Sequence, residues 1–190
     1  MIVNESGLLK AMRDSYKGSG YHVAFGEVFE RWYYLIASYG YSWGVVIRSD
    51  KMPRKVLGLL AEHIGKLPED GEAYLCRKDE DAQDEIFSVA AKPLLLKLGE
   101  ARGKVLPSIR KTRLIWDGEN VWQSAEMDDV VLMRPDYEDI AIFQNQNMRP
   151  KMVGGCLYVE GQQSYVMIHK SVPGEADRDL VADLGKHLWI

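Results

Sequence analysis

At 190 residues the chain has the length of one ordinary domain, and its 46% hydrophobic and 27% charged residues are typical of a globular protein. The net charge of −4 argues against a chain-wide affinity for nucleic acid. No apolar run approaches the roughly 18 residues that a membrane-spanning helix needs, and the N-terminus lacks the pattern of a signal peptide. The sequence therefore predicts a cytoplasmic protein with no membrane segment, in which Cys76 and Cys156 are buried free thiols.

The first fifty residues predict a helix followed by an aromatic meander of strands. Asn4 stands before a helical apolar stripe, and Gly18 stands where a helix-ending glycine is expected. Nine aromatic residues then lie between Tyr21 and Trp43, and they form either core or an interaction surface. We read two or three strands there with a turn at residues 38–40, although 27–38 also fits a helical stripe.

The middle of the chain predicts a helix over residues 53–64, which begins near a proline and is closed by Gly65. A strand over residues 72–78 and a charged loop follow. A helical stripe over residues 86–98 must break or restart at Pro93.

The last eighty residues predict antiparallel sheet and a final helix. Asp117-Gly118 marks a hairpin turn, and Glu160-Gly161 marks a second one. Two further strands are expected at residues 130–135 and 140–145, and an amphipathic helix ends the chain. The fold class is therefore α+β, with a mostly antiparallel sheet and helices at both ends and near 53–64. We expect a single domain over 1–190, with a soft boundary between two lobes near 78–104 as the alternative.

One short motif raises the question of hydrolase chemistry. Residues 40–44 read GYSWG, which fits the G-x-S-x-G turn that carries the nucleophilic serine of α/β-hydrolases, and Asp139 and His169 follow in the required order. However, that turn works because a helix starts directly after the serine, whereas Ser42 is followed by a β-branched run that prefers a strand. A hairpin explains the segment better, with Gly40 supplying a positive φ and Gly44 a bulge or close approach. Serine hydrolysis through Ser42 remains the alternative function.

Signals for metals and cofactors are weaker. The four histidines have no metal-binding spacing, so no metal site is expected. Asp136 and Glu160 could be aligned with a metal-dependent nuclease, but the usual lysine is absent and Glu160 already belongs to a turn. The sequence contains no phosphate-binding loop and no dinucleotide fingerprint, so no cofactor is expected.

The charge distribution is the most informative feature. Residues 101–116 carry five basic side chains and no acid, whereas residues 117–147 carry eight acids and one base. Such a stretch either protects and solvates a sheet edge or steers a basic protein partner.

We therefore expect a non-catalytic binding or regulatory protein that engages a basic protein partner through an acidic surface. The residues expected to carry binding are acids of this stretch and two neighbouring tryptophans: Asp117, Glu119, Asp128, Asp129, Asp136, Glu138, Asp139, Trp116 and Trp122. The apolar C-terminal residues Leu188-Trp189-Ile190 either dock on the chain's own core or, with the last helix, form a homodimer interface.

Overall fold

The computed structural model describes residues 2–102, 104–124, 130–143, 150–161, 164–173 and 175–187. Its helices are α1 Glu5–Lys17, α2 Arg54–Ile64, α3 Phe87–Ala90, α4 Lys92–Ala101, α5 Pro135–Glu138 and α6 Arg178–His187. Its strands are β1 Tyr21–Val28, β2 Arg31–Ser38, β3 Trp43–Arg48, β4 Glu72–Cys76, β5 Gln83–Ile86, β6 Ile109–Trp116, β7 Glu119–Ser124, β8 Val130–Met133, β9 Lys151–Val153, β10 Cys156–Glu160 and β11 Ser164–His169.

Two antiparallel sheets organise these elements. Eight strands pair in the order β5-β4-β1-β2-β3-β11-β10-β9, and β6, β7 and β8 form a separate sheet in chain order. The larger sheet joins strands from both sides of residues 78–104. The expected α+β class with a mostly antiparallel sheet is confirmed, and so are the N-terminal, middle and C-terminal helices.

The period-two alternation of the strands divides the large sheet into two buried faces. On one face α1, α2 and the three-stranded sheet cover the core that contains Val23, Ile36, Trp43 and Val45. The other face is covered by α3 and α4, and α6 packs through Val181 on the outer side of the small sheet. Four layers result, and the ends of α1 and α5 meet at the edge of the inner core.

The ambiguous segment 27–38 is the end of β1, a tight turn at Phe29-Glu30 and the whole of β2. β1 and β2 pair over their full length from Tyr21 with Ser38 to Val28 with Arg31, so the helical alternative is wrong. The aromatic cluster divides between core and exposed surface: Tyr21, Tyr33, Tyr34 and Trp43 are buried, whereas Phe29, Trp32 and Tyr39 remain more than 40% exposed. A strand predicted over 140–145 is also wrong in its described part, where Ala141 makes only an isolated bridge to Val3.

A small polar network under α2 gives the fold a pH dependence. His63 stacks on Tyr16 with ring centroids 3.7 Å apart, and its Nδ1 lies 2.8 Å from the hydroxyl of Tyr21. Partial burial, which disfavours the charged imidazolium, lowers the pKa of His63 below its ordinary value.

Because of this lowered pKa, the unfolded chain binds more protons than the native state at mildly acidic pH. The contribution of neutral His63 to the free energy of unfolding should therefore be fully present above the unfolded pKa of about 6.5 and decrease as the pH drops below that value. Urea unfolding at pH 7.5 and 5.5 should show the lower midpoint at pH 5.5. In His63→Phe, which keeps the ring but cannot titrate, the difference between the two pH values should shrink; an unchanged difference would contradict this assignment.

Candidate functional site

A polar cleft opens where α1, the β2–β3 turn and α5 meet. Its volume is about 420 Å³. We call it the α1–α5 cleft. Its lining residues are Lys10, Ala11, Asp14, Ser15, Ser19, Gly20, Ser38, Tyr39, Gly40, Ser42, Arg134, Asp136 and Tyr137. The volume lies within the range of roughly 300–1,000 Å³ that is usual for small-ligand sites.

Backbone contacts place the two helical walls of the cleft. The amide of Asn4 donates to the carbonyl of Ile140 at 2.8 Å, and the amide of Ile142 donates to the carbonyl of Ile2 at 2.8 Å. α1 begins immediately after the first of these bonds and α5 ends just before Ile140. The segment that carries α5 is therefore clamped to the start of the chain.

The floor of the cleft is fixed by Trp43, which is fully buried. Its backbone amide donates to the hydroxyl of Ser38, and its indole N–H donates to the hydroxyl of Ser15, both at 3.3 Å. One tryptophan thus ties the β2–β3 turn to α1.

Charged side chains face one another across the cleft. Lys10 Nζ on α1 lies 2.6 Å from Asp136 Oδ1 on α5. The hydrogen bond and charge of Lys10, with a smaller contribution from Arg134, hold the pKa of Asp136 below its usual value. The guanidinium of Arg134 lies 4.8 Å from the ring centroid of Tyr137 and donates to its hydroxyl at 3.3 Å.

Ser42 lies in this cleft, but without the surroundings of a hydrolase nucleophile. The residues after it form β3, so the helix that would begin directly after a hydrolase nucleophile is replaced by a strand. The hairpin interpretation fits in part: a Cβ on Gly44 would overlap Leu94 of α4, which explains the small residue, but the positive φ belongs to Tyr41 at 55° and not to Gly40.

The two other members of the suggested triad do not join Ser42. His169 shares the face of β11 that carries Met167, which packs in the α4 core, whereas Asp139 lies beside α1 on the opposite side of the sheet. The bond between His169 and Ser42 is one of backbone only, from amide to carbonyl at 2.9 Å.

The suggested nuclease carboxylates are also separated. Glu160 follows Tyr158 by two residues on β10 and so shares its face, on the α4 side of the large sheet, whereas Asp136 lies on the α1 side. Across the residues with described positions, no three His, Cys, Asp or Glu side chains cluster in a way that could hold a metal ion.

Several of the acids proposed from the sequence lie at one end of the small sheet. Asn120 pairs with Met133, so the turn before β7 and the helix after β8 lie side by side. This arrangement brings Asp117 and Glu119 to the same end as Asp136 and Asp139, and we call it the acidic end. Asp117 and Asp139 are exposed and form no ion pair with any residue whose position is described, whereas Glu119 accepts a hydrogen bond from the hydroxyl of Ser171 at 2.7 Å.

Two of the proposed binding residues point inward instead. Glu138 is 6% exposed and Trp122 is 3% exposed. The carboxylate of Glu138 accepts hydrogen bonds from the Trp122 indole at 2.7 Å, the Asn120 amide at 2.9 Å and the Lys111 ammonium at 2.7 Å. Both residues are therefore part of the buried packing beneath the acidic end and are not exposed to a partner. Trp116 is half-buried beside it, and Asp128 and Asp129 lie outside the described residues.

The sequence did not point to Lys10, Asp14 or Arg134 as site residues. Lys10 and Asp14 stand four residues apart on α1, which places both on one helix face, and this spacing was the available signal. The partner of Lys10, Asp136, lies on α5, 126 residues later in the chain, and no local pattern connects the two segments.

None of the helices in the described ranges combines the length and the apolar character needed to cross a membrane. No protein-family model, curated protein or solved structure matches this chain.

Proposed function

We propose that this chain is a non-catalytic binding protein that engages a basic protein partner through its acidic end. The observation that carries the proposal is that Asp117 and Asp139 lie at the same end of the small sheet, both exposed and without ion pairs among the residues described. Carboxylates in that state attract basic side chains without first losing an internal partner.

The neighbouring charges support this assignment of roles. Glu138 is compensated internally by Lys111, and Asp136 is paired with Lys10. The charge offered to a partner therefore comes from the unpaired acids at the rim. Since rim charges mainly set the association rate and its salt dependence, binding should weaken as ionic strength rises.

The test is a charge reversal with a matched control. Asp117→Lys with Asp139→Lys should remove most of the salt-sensitive partners that the wild-type protein captures from a cell lysate at about 0.15 M salt, where screening acts over about 8 Å. The control is Asp79→Lys in the β4–β5 loop with Asp84→Lys in the edge strand β5, which makes the same change in net charge at exposed positions. It also matches the backbone strain, because Asp79 and Asp117 both have positive φ, at 63° and 47°.

Capture should survive in the control and fail in the acidic-end variant. Equal loss in both variants would assign binding to net charge alone, and equal capture by both would overturn the proposal.

We also propose a reducing, cytoplasmic location. Burial raises the pKa of both thiols, Cys76 and Cys156, to about 11, which makes them poor nucleophiles.

We also propose that the protein forms a homodimer through α6, since Leu180 on that helix is 53% exposed.

A further inference from the structure

The charges of the α1–α5 cleft are unequally satisfied. Lys10 and Asp136 neutralise each other across its mouth. Asp14 lies one helical turn beyond Lys10 on the α1 wall, and it forms no ion pair with the residues whose positions are described. Arg134 on the opposite wall contacts the ring and hydroxyl of Tyr137 and has no carboxylate partner within those same ranges. Asp14 and Arg134 interact through their charges with Lys10 and Asp136 respectively, but neither has an ion-pair partner of its own among the residues described, so the cleft presents one anion and one cation that a ligand can pair with.

Hydroxyl groups line the same cleft as these two charges. Ser15 and Ser38 use their oxygens as acceptors for Trp43, so their own O–H groups remain available as donors. Ser19 and Ser42 make no side-chain hydrogen bond to another described residue, and both line the cavity. A ligand that enters would meet several neutral hydrogen-bond donors together with one acid and one base.

We propose that the α1–α5 cleft binds a short peptide with free ends, or a free amino acid, as a zwitterion. The ammonium group would pair with Asp14, the carboxylate with Arg134, and the amide carbonyls would accept hydrogen bonds from the serine hydroxyls. A ligand with only a negative charge would be repelled by Asp14, and a ligand with only a positive charge would be repelled by Arg134. A ligand with both charges is the class that leaves neither group unpaired.

This site is separate from the acidic end, because it uses Asp14 and Arg134 and neither Asp117 nor Asp139. Loss of partner capture and loss of peptide binding therefore test different proposals.

The probe is an equimolar pool of random-sequence tripeptides at about pH 6.5, where the α-amino group is protonated. Two matched pools carry an N-terminal acetyl group or a C-terminal amide, and each removes one charge. Binding is followed by backbone amide chemical shifts of Tyr39, Gly40, Ser42 and Tyr137. The free pool should shift these resonances, and either blocking group should weaken the apparent affinity about tenfold or more.

Two exposed substitutions assign the ends of the ligand. Asp14→Asn should weaken binding of the free pool and remove the penalty for acetylation, while the penalty for amidation remains. Arg134→Gln should do the reverse. Asp84→Asn and Arg54→Gln, at exposed positions away from the cleft, should leave both penalties intact.

Three outcomes overturn the proposal. The first is no shift at the cleft with the free pool. The second is equal binding of free and blocked pools, which would indicate a ligand recognised without its end charges. The third is that the losses of affinity caused by acetylation and amidation are the same in Asp14→Asn and Arg134→Gln as in the wild-type protein.

Discussion

Gly7→Ala should lower the free energy of unfolding by about 3 kcal/mol, although alanine is the better helix former. Gly7 lies inside α1, and a Cβ at this position would overlap the backbone carbonyl of Asp139 just after α5. A backbone group cannot move aside by changing rotamer, so one of the two segments must shift. The small residue is what allows α1 to approach α5 and form the cleft between them.

Gly58→Ala is the matched control, because Gly58 also lies inside a helix, α2, and a Cβ there would meet no atom within 4 Å. It should raise the free energy of unfolding by roughly 0.5–1 kcal/mol, the difference in helix propensity. Urea unfolding of the wild-type protein and both variants measures the two effects. If both substitutions were stabilising, α1 and α5 would not be in close contact and the cleft would lose its geometric basis.

Local patterns were sufficient to predict most of the helices. α2 was expected over 53–64 and is observed from Arg54 to Ile64, ending at Gly65 in the left-handed conformation. The restart at Pro93 is also observed, with α3 and α4 meeting at Ala91. In each case the deciding residues are neighbours in the chain, so propensity and spacing record them directly.

Errors arose where distant partners decide the structure. β5 lies in the charged segment that we interpreted as a loop, and it forms because β4 offers an edge for residues 83–86. Tyr41 adopts a φ of 55° that a turn-residue rule assigns to the neighbouring Gly40. Its hydroxyl donates to the carbonyl of Ala90 on α3 at 3.0 Å, which is a tertiary contact.

The acidic stretch shows the same division within one site. The excess of acidic residues was evident from the sequence, and the hairpin at Asp117-Gly118 is observed where it was predicted. The sequence could not predict which of its carboxylates face solvent. Asp136, Glu138 and Asp139 lie on or beside a helix of only four residues that begins at Pro135. One turn of that helix sends Asp136 to Lys10 and Glu138 to Lys111.

Glu138→Ala should be the most destabilising change at the acidic end, with a loss of about 3–5 kcal/mol in the free energy of unfolding. The carboxylate accepts three hydrogen bonds, and two of its donors, on Asn120 and Trp122, are themselves buried. Removing the acceptor leaves those donors and the Lys111 ammonium without a partner, and an unpaired buried polar group costs its full desolvation energy.

Urea unfolding of three variants separates this role from that of a surface acid. Asp139→Ala, the adjacent exposed residue, should change the free energy by no more than about 0.5 kcal/mol. Glu138→Gln should lie between the two, because the amide keeps the shape and one acceptor oxygen but turns an N–H group toward a donor. If Glu138→Ala cost no more than Asp139→Ala, the carboxylate would be solvent-facing. Glu138 would then belong with Asp117 and Asp139 among the groups offered to a partner.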